Sequence, residues 1–285
     1  MSDIAYVNGA FTPLAEARVS VLDRGFLFAD GVYEVAAVID GKLIDNEAHL
    51  ARLERSLGEL RLKSPVPLAR IAEIEAELVA RNDVKEGMVY LQITRGAAER
   101  DFGFPKDAAP TLVAFSQKKN ILSSPAAQNG VKIVTVPDLR WARRDIKSVA
   151  LLAQVLAKQA AVEVGCHEAW MVDADGLVTE GSSSTAFIVT KGGAIVTRPN
   201  SQSILPGCTR RAVLALAARE GLTIEERSFS VAEAYDAVEA FLTSASSLVL
   251  PVIEIDGRPI GAGVPGENAR ALRQLYIECA MNDAT

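Results

Sequence analysis

The chain has 285 residues, 49% of them apolar and 23% charged, with a formal net charge of −6. That balance fits a soluble globular protein large enough for two domains, and it excludes the basic footprint of a nucleic-acid or membrane-surface binder, so a small solute is the expected partner. Cys166, Cys208 and Cys279 are widely spaced and the only histidines are His49 and His167, which supports neither a disulfide framework nor a metal site; the N-terminus MSDIAYVNGAF has no secretion signal and no apolar run reaches the ~20 residues of a membrane span, so a cytoplasmic location is expected.

In chain order, VYEVAAVI and MVYLQITR have strand composition, and between them Leu50, Leu53, Leu57 and Leu60 repeat at helical spacing behind a possible cap at Asn46. Ile71, Ile74 and Leu78 predict a second helix, and TLVAFS another strand. SSPAAQNG, residues 123–130, has the composition of a linker and divides a smaller N-terminal α/β domain, 1–122, from a larger C-terminal one, 131–285. The second domain begins with the strand VKIVTV, and EAWMVDADGLVTEGSSSTAFIV holds a hairpin turn at Asp173 to Gly176. In LPGCTRRAVLALAAREG, Thr209 is the expected N-cap and Gly221 the C-terminal stop; Ser230 and Glu233 form a capping box for a further helix. Alternating strand and helix signals predict a mixed α/β (α+β) fold without internal repeats.

One lysine stands out. Lys147 directly precedes Val149, Ala150, Leu151, Leu152, Ala153 and Val155, a run that reads as core. Two readings stand: a solvated turn continuing from Arg143, Arg144 and Asp145, or an amine desolvated at the edge of a core and able to form a Schiff base with an aldehyde cofactor. Lys158, flanked by Gln154 and Gln159, reads as lying on a polar face. An aldehyde cofactor such as pyridoxal phosphate also needs a carboxylate for its ring nitrogen and an anion site for its phosphate. Glu180, at the end of a segment with strand composition and followed by Gly181 and three serines, suits the first, although an ordinary turn glutamate accounts for it equally. The helix start at Gly207, Cys208 and Thr209, with Arg210 and Arg211, suits the second, as do the hydroxyls of Ser244 to Ser247; most capped helices bind no phosphate. Composition alone places Arg52 on a solvent-exposed helix face.

Seven segments, DRGFLFADGVYEV, HLARL, QITRG, RWARRDIKSVALLAQVLAKQAA, VTEGSSSTAF, ILPGCTR and PVIEIDGRPI, resemble in the same order the fold-type IV pyridoxal-phosphate enzymes, most closely those that transaminate D-amino acids. The resemblance covers almost the whole chain and implies a two-domain, homodimeric aminotransferase with its active site between the domains. It implies that Lys147 carries the cofactor and shuttles the substrate proton. Glu180 would partner the pyridine nitrogen, and Arg52, Leu205, Cys208, Thr209, Ser244 and Ala245 would hold the phosphate and ring. Tyr33 and Arg100 would bind substrate, Arg100 gripping the α-carboxylate from the neighbouring subunit. His49 is expected to be structural. The family's best-known pattern pairs that arginine with a histidine two positions on, where this chain has Phe102. Amino transfer from a D-amino acid such as D-alanine to a 2-oxo acid such as 2-oxoglutarate is the expected reaction. A branched-chain L-amino acid aminotransferase, an (R)-selective amine transaminase and an aminodeoxychorismate lyase of the same fold are the alternatives, and a non-catalytic anion-binding domain is the reading of another class.

Overall fold

The strand segments of the first 120 residues pair into one antiparallel sheet. The computed structural model describes residues 3–283 and separates two units, residues 3–120 with 146–150, and residues 121–145 with 151–282. In the first, β1 (Ile4–Val7) and β2 (Ala10–Pro13) precede the short helix α1 (Arg24–Phe28), then β3 (Gly31–Ile39) and β4 (Lys42–Leu43). Two helices follow, α2 (Asn46–Glu59) and α3 (Leu68–Arg81), then β5 (Glu86–Thr94) and β6 (Thr111–Lys118). The sheet order is β2-β1-β6-β5-β3-β4. Leu53 and Leu57 of α2 and Ile71, Ile74 and Leu78 of α3 are buried with Val32, Val38, Leu91 and Ile93, so the helical spacing read from the sequence is the face that covers the sheet.

Residues 146–150 belong to this unit although the chain around them belongs to the other. Tyr33 N–H donates to the Lys147 carbonyl at 3.0 Å, Val149 N–H to the Gly31 carbonyl at 3.0 Å, and Ser148 bridges Val32 in antiparallel sense. Lys147 therefore sits beside β3 as an added strand fragment, positioned by backbone bonds rather than by a flexible loop.

The second unit starts with α4 (Pro125–Asn129), β7 (Val131–Pro137), α5 (Leu152–Glu163), β8 (Glu168–Val172), β9 (Val178–Gly181) and β10 (Thr185–Val189). It continues with β11 (Ile195–Thr197), α6 (Cys208–Arg219), β12 (Ile224–Glu226), α7 (Val231–Tyr235), β13 (Glu239–Ser244), β14 (Leu248–Ile255), β15 (Arg258–Pro259) and α8 (Glu267–Asp283). Its mixed sheet runs β12-β11-β10-β13-β14-β7-β8-β9, with β15 on β14. Trp170, Ile188, Phe229, Leu242 and Leu250 lie in its main apolar cluster.

Four local expectations change. Residues 125–129, inside the stretch read as linker, are helical, because the Ser124 hydroxyl accepts the Ala127 N–H and Pro125 opens the first turn. Asn46 is the first residue of α2 and not its cap; its side-chain amide donates instead to Glu75 Oε2 at 3.0 Å. The cap of α6 is Gly207, and Thr209 lies inside the helix. A side chain at Gly207 would bring its Cβ within 3.0 Å of Thr185 Oγ1, so the absence of one lets this turn press against β10. The run after Lys147 is not core: Leu152 is 72% and Val155 58% exposed. Helix α5 packs on the sheet through Ala157 and Ala161, whose small side chains allow close approach and turn the larger apolar residues outward. The Asp173–Gly176 turn, the Ser230 cap and the left-handed Gly221 after α6 form as the sequence predicts.

Candidate active site

Adjacent residues of a strand face opposite sides, and β3 uses this to hold two different groups. On one side the Tyr33 ring stacks on Tyr90, centroids 5.7 Å apart, and Lys147 Nζ lies 4.3 Å from the Tyr33 centroid. A cation that close to an aromatic face is attracted by it and held in place. Ser56 Oγ, 3.4 Å from the Lys147 amide, ties the same segment to α2.

On the other side Glu34 points into the cover helix. Arg52, one α-helical turn beyond His49 on α2, donates through Nε to Glu34 Oε1 at 2.8 Å and through Nη2 to Oε2 at 2.7 Å; His49 Nδ1 lies 2.8 Å from Oε2. All three residues are buried. Burial works against the Glu34 charge, but the Arg52 guanidinium and the His49 bond outweigh it and bring the carboxyl down to about 2. His49 is structural, a strut in this cluster. Behind it Glu75, also buried, is pushed up by burial to about 7, against the pull of its Asn46 bond.

Arg100 is exposed in the loop after β5, its guanidinium 5.2 Å from the Phe28 ring centroid and 5.7 Å from that of Phe102. Phe102 is itself 78% exposed. Arg24 secures this loop by donating to the Asp101 carbonyl at 2.6 Å and to Asp30 at 2.8 Å.

In the second unit the carboxylate is the centre. Glu180 is the next-to-last residue of β9, its side chain 6% exposed; Oε1 and Oε2 accept the Leu205 N–H at 3.1 and 3.2 Å, and Arg140 Nη1 donates to Oε1. Leu205 leads into Gly207, Cys208 and Thr209, the last two buried in the first turn of α6, where backbone N–H groups point outward toward any anion. Gly207 abuts Thr185, Thr185 pairs with Thr243, and β13 ends at Ser244, so this turn and the Ser244–Ser247 turn adjoin. Ser244 Oγ is 2.7 Å from Ser247 Oγ, and the buried Thr243 hydroxyl has no hydrogen-bond partner among the described residues. A buried carboxylate that can accept, with a helix N-terminus and an unmatched hydroxyl that can donate, fits a protonated pyridine ring bearing a phosphate.

The structure thus groups Tyr33 with Lys147, Arg52 with Glu34, and Glu180 with Leu205, and it sets Gly207, at the start of α6, against Thr185 of β10. Sequence reasoning missed Arg140, Asp138 and Glu34; Arg140 and Glu34 lie inside quoted motifs, but no spacing links them to partners 40 and 18 residues away. Among the described residues no helix is long and apolar enough to cross a membrane, and no cluster of His, Cys, Asp and Glu is placed to hold a metal.

This mixed α/β architecture, with a lysine fixed beside one strand and a buried glutamate capping another, is that of a fold-type IV aminotransferase. The family described as amino-transferase class IV matches residues 31–255, and the chain belongs to it. It is 39% identical over 277 residues to a D-alanine aminotransferase of Staphylococcus aureus, covering 96% of this chain and 97% of that one. With a D-alanine aminotransferase of Bacillus licheniformis it shares 40% over 262 residues, 91% of this chain and 90% of the other. Among solved structures, a branched-chain amino acid aminotransferase from T.th., crystallised with pyridoxamine 5'-phosphate, superposes with a TM-score of 0.91 at 28% identity, covering 99% of this chain and 95% of that one. The Escherichia coli branched-chain enzyme gives 0.93 at 21% identity over 100% and 97%, a likeness of fold.

Proposed function

We propose that the chain is a cytoplasmic, homodimeric, pyridoxal-phosphate-dependent enzyme that transfers the amino group of a D-amino acid, such as D-alanine, to a 2-oxo acid, such as 2-oxoglutarate. The observation that carries this reading is Lys147, fixed by backbone bonds to β3 with its Nζ against Tyr33, in a class IV aminotransferase. The D-alanine aminotransferases to which the chain is 39–40% identical supply the substrate class.

Pyridoxal phosphate, when bound, would supply an aldehyde carbon reactive toward amines and a ring able to accept electrons. Lys147 Nζ would hold the cofactor and, as general base and acid, would move the substrate Cα proton. Glu180, oriented by Arg140 and the Leu205 N–H, would hold the proton on the ring nitrogen. The amides of Cys208 and Thr209, the Thr209 hydroxyl, Ser244 and Ala245 would hold the phosphate, and the family resemblance assigns the same role to Arg52, which Glu34 orients. Arg100 grips the substrate carboxylate of the partner subunit's site. Leu152, Val155, Leu156 and Val162, all more than half exposed along α5, support a dimer, because an isolated chain rarely leaves such a stripe in water.

A second reading draws on Phe102: with two aromatic rings flanking Arg100, an (R)-amine or branched-chain donor gains apolar contact. Initial rates with D-alanine, L-leucine and an (R)-amine, each with 2-oxoglutarate, decide between them, D-alanine being fastest if the first reading holds. Lys147→Ala is expected to lower that rate by at least about 10⁴-fold with the fold intact, and full activity in that variant overturns the assignment. Arg100→Ala should cost about 1.5–3 kcal/mol in kcat/KM for D-alanine and leave an (R)-amine nearly unaffected. Equal losses on both would make Arg100 a support of the loop.

A further inference from the structure

Glu180 is gripped by an arginine whose other donors are all anchored on one side. Arg140, 5% exposed, forks onto Asp138 through Nε to Oδ1 at 3.0 Å and Nη2 to Oδ2 at 2.7 Å, and its own amide donates to Oδ1 at 3.1 Å. Asp138, with a side chain wholly inaccessible, also accepts the Thr179 hydroxyl at 2.7 Å, and Arg144 Nε lies 3.4 Å from it. Thr179 Oγ1 in turn receives Arg140 Nη2 at 3.3 Å and lies 3.0 Å from the Met171 carbonyl. The guanidinium can hardly rotate, and the donor left facing Glu180 is Nη1.

A fixed, permanently charged guanidinium beside a carboxylate has a chemical consequence. It shares the negative charge, lowers the carboxylate's proton affinity and so weakens its hold on any proton delivered opposite. An unshared carboxylate would hold a ring-nitrogen proton more firmly and deepen the electron sink. Mere solubility does not explain Arg140, which is buried, and mere packing does not explain a charge, since desolvating one is costly.

We propose that Arg140, braced by Asp138, is a tuning residue: through Glu180 it sets how strongly the cofactor's ring nitrogen holds its proton. This rests on the proposed pairing of Glu180 with that nitrogen. Arg140 touches neither substrate nor the bond that breaks, and its role is positioning and charge-sharing.

The test is the pH titration of the visible absorption of the cofactor-loaded protein. Arg140→Gln removes a cation and is expected to move the midpoint up by about one unit, tenfold in proton affinity. Arg140→Lys keeps the charge and should stay near wild type. Asp138→Asn, close in shape, frees more of the arginine's charge for Glu180 and should move the midpoint down. Glu180→Gln should also move it down, and in that background Arg140→Gln should lose more than half its effect. If Glu180→Gln leaves the midpoint in place, the pairing of Glu180 with the ring fails and takes this inference with it. If Glu180→Gln moves it but Arg140→Gln does not, or Arg140→Lys shifts it as far as Arg140→Gln, charge-sharing alone is overturned. Should Arg140→Gln not fold, an unmoved midpoint in Asp138→Asn overturns it equally.

Discussion

In the first unit, Glu34 is buried under α2 and holds Arg52 by Nε and Nη2; in the second, the side chains of Asp138 and Arg140 are buried beside β9, Asp138 holding Arg140 and Arg140 holding Glu180. Both are buried arginine–carboxylate clusters, yet their roles are reversed. On the proposed assignment the cation of the first would be the group presented for binding, with the anion as its brace; in the second the anion would be presented, with the cation as its brace. A phosphate calls for the former, a protonated ring nitrogen for the latter. On that assignment the same pair of residue types would serve opposite charges, and the geometry of the brace would decide which member faces the ligand.

The braces also differ in redundancy, which makes the comparison breakable. Glu34→Gln strips both charged acceptors from Arg52 at once, and breaking a buried pair from one side is expected to cost about 3–5 kcal/mol. Chemical denaturation at pH 7 measures it, and a loss below about 1 kcal/mol would show that Arg52 is satisfied without Glu34. The acid limb gives a second view. The folded carboxyl of Glu34 lies at about 2, below its ordinary 4.5, so its contribution is full above pH 4.5 and is lost as pH falls toward 2. In Glu34→Gln that part of the acid transition should flatten.

Glu75, in the same unit, has the opposite sign. Its folded carboxyl is pushed up by burial to about 7 from 4.5, so its contribution is full below pH 4.5 and is lost as pH rises through 7. Glu75→Gln keeps an acceptor for Asn46 without a titrating proton and should stabilise the protein by on the order of 2 kcal/mol at pH 8 and hardly at pH 4. A gain that is the same at both pH values would trace to packing instead.

The smallest stability effect is expected in the second cluster. Glu180→Gln leaves Arg140 bound to Asp138 and should cost only about 1 kcal/mol, while slowing the half-reaction with D-alanine, because an amide cannot hold the ring-nitrogen proton as a carboxylate does. A loss as large as that of Glu34→Gln would mean that Asp138 is no independent brace.

Much of this was legible beforehand. Helical spacing in Leu53 and Leu57, the hairpin at Asp173 and the cap at Ser230 are local signals, encoded within a few residues of where they act. Chemistry-bearing residues in motifs could be singled out one by one. What they touch could not. Arg52 read as solvent-facing by composition and is buried, because its partner comes from β3, 18 residues away. Leu152 and Val155 read as core and face outward, because apolar content does not say which side of a helix meets a sheet.

By itself the sequence determined the mixed strand and helix pattern, the lysine set before an apolar helix, and the motifs of the class IV aminotransferases. These depend on periodicity, turn chemistry and residue identity, which are carried by neighbours along the chain. Only the tertiary structure decided that residues 146–150 lie along β3 with the first unit, that Glu34 stands behind Arg52, and that Arg140 stands behind Glu180. Each of those pairings joins distant segments, and its strength comes from shared burial, where water no longer screens the charges and the surrounding sheet and helix fix which donors can turn.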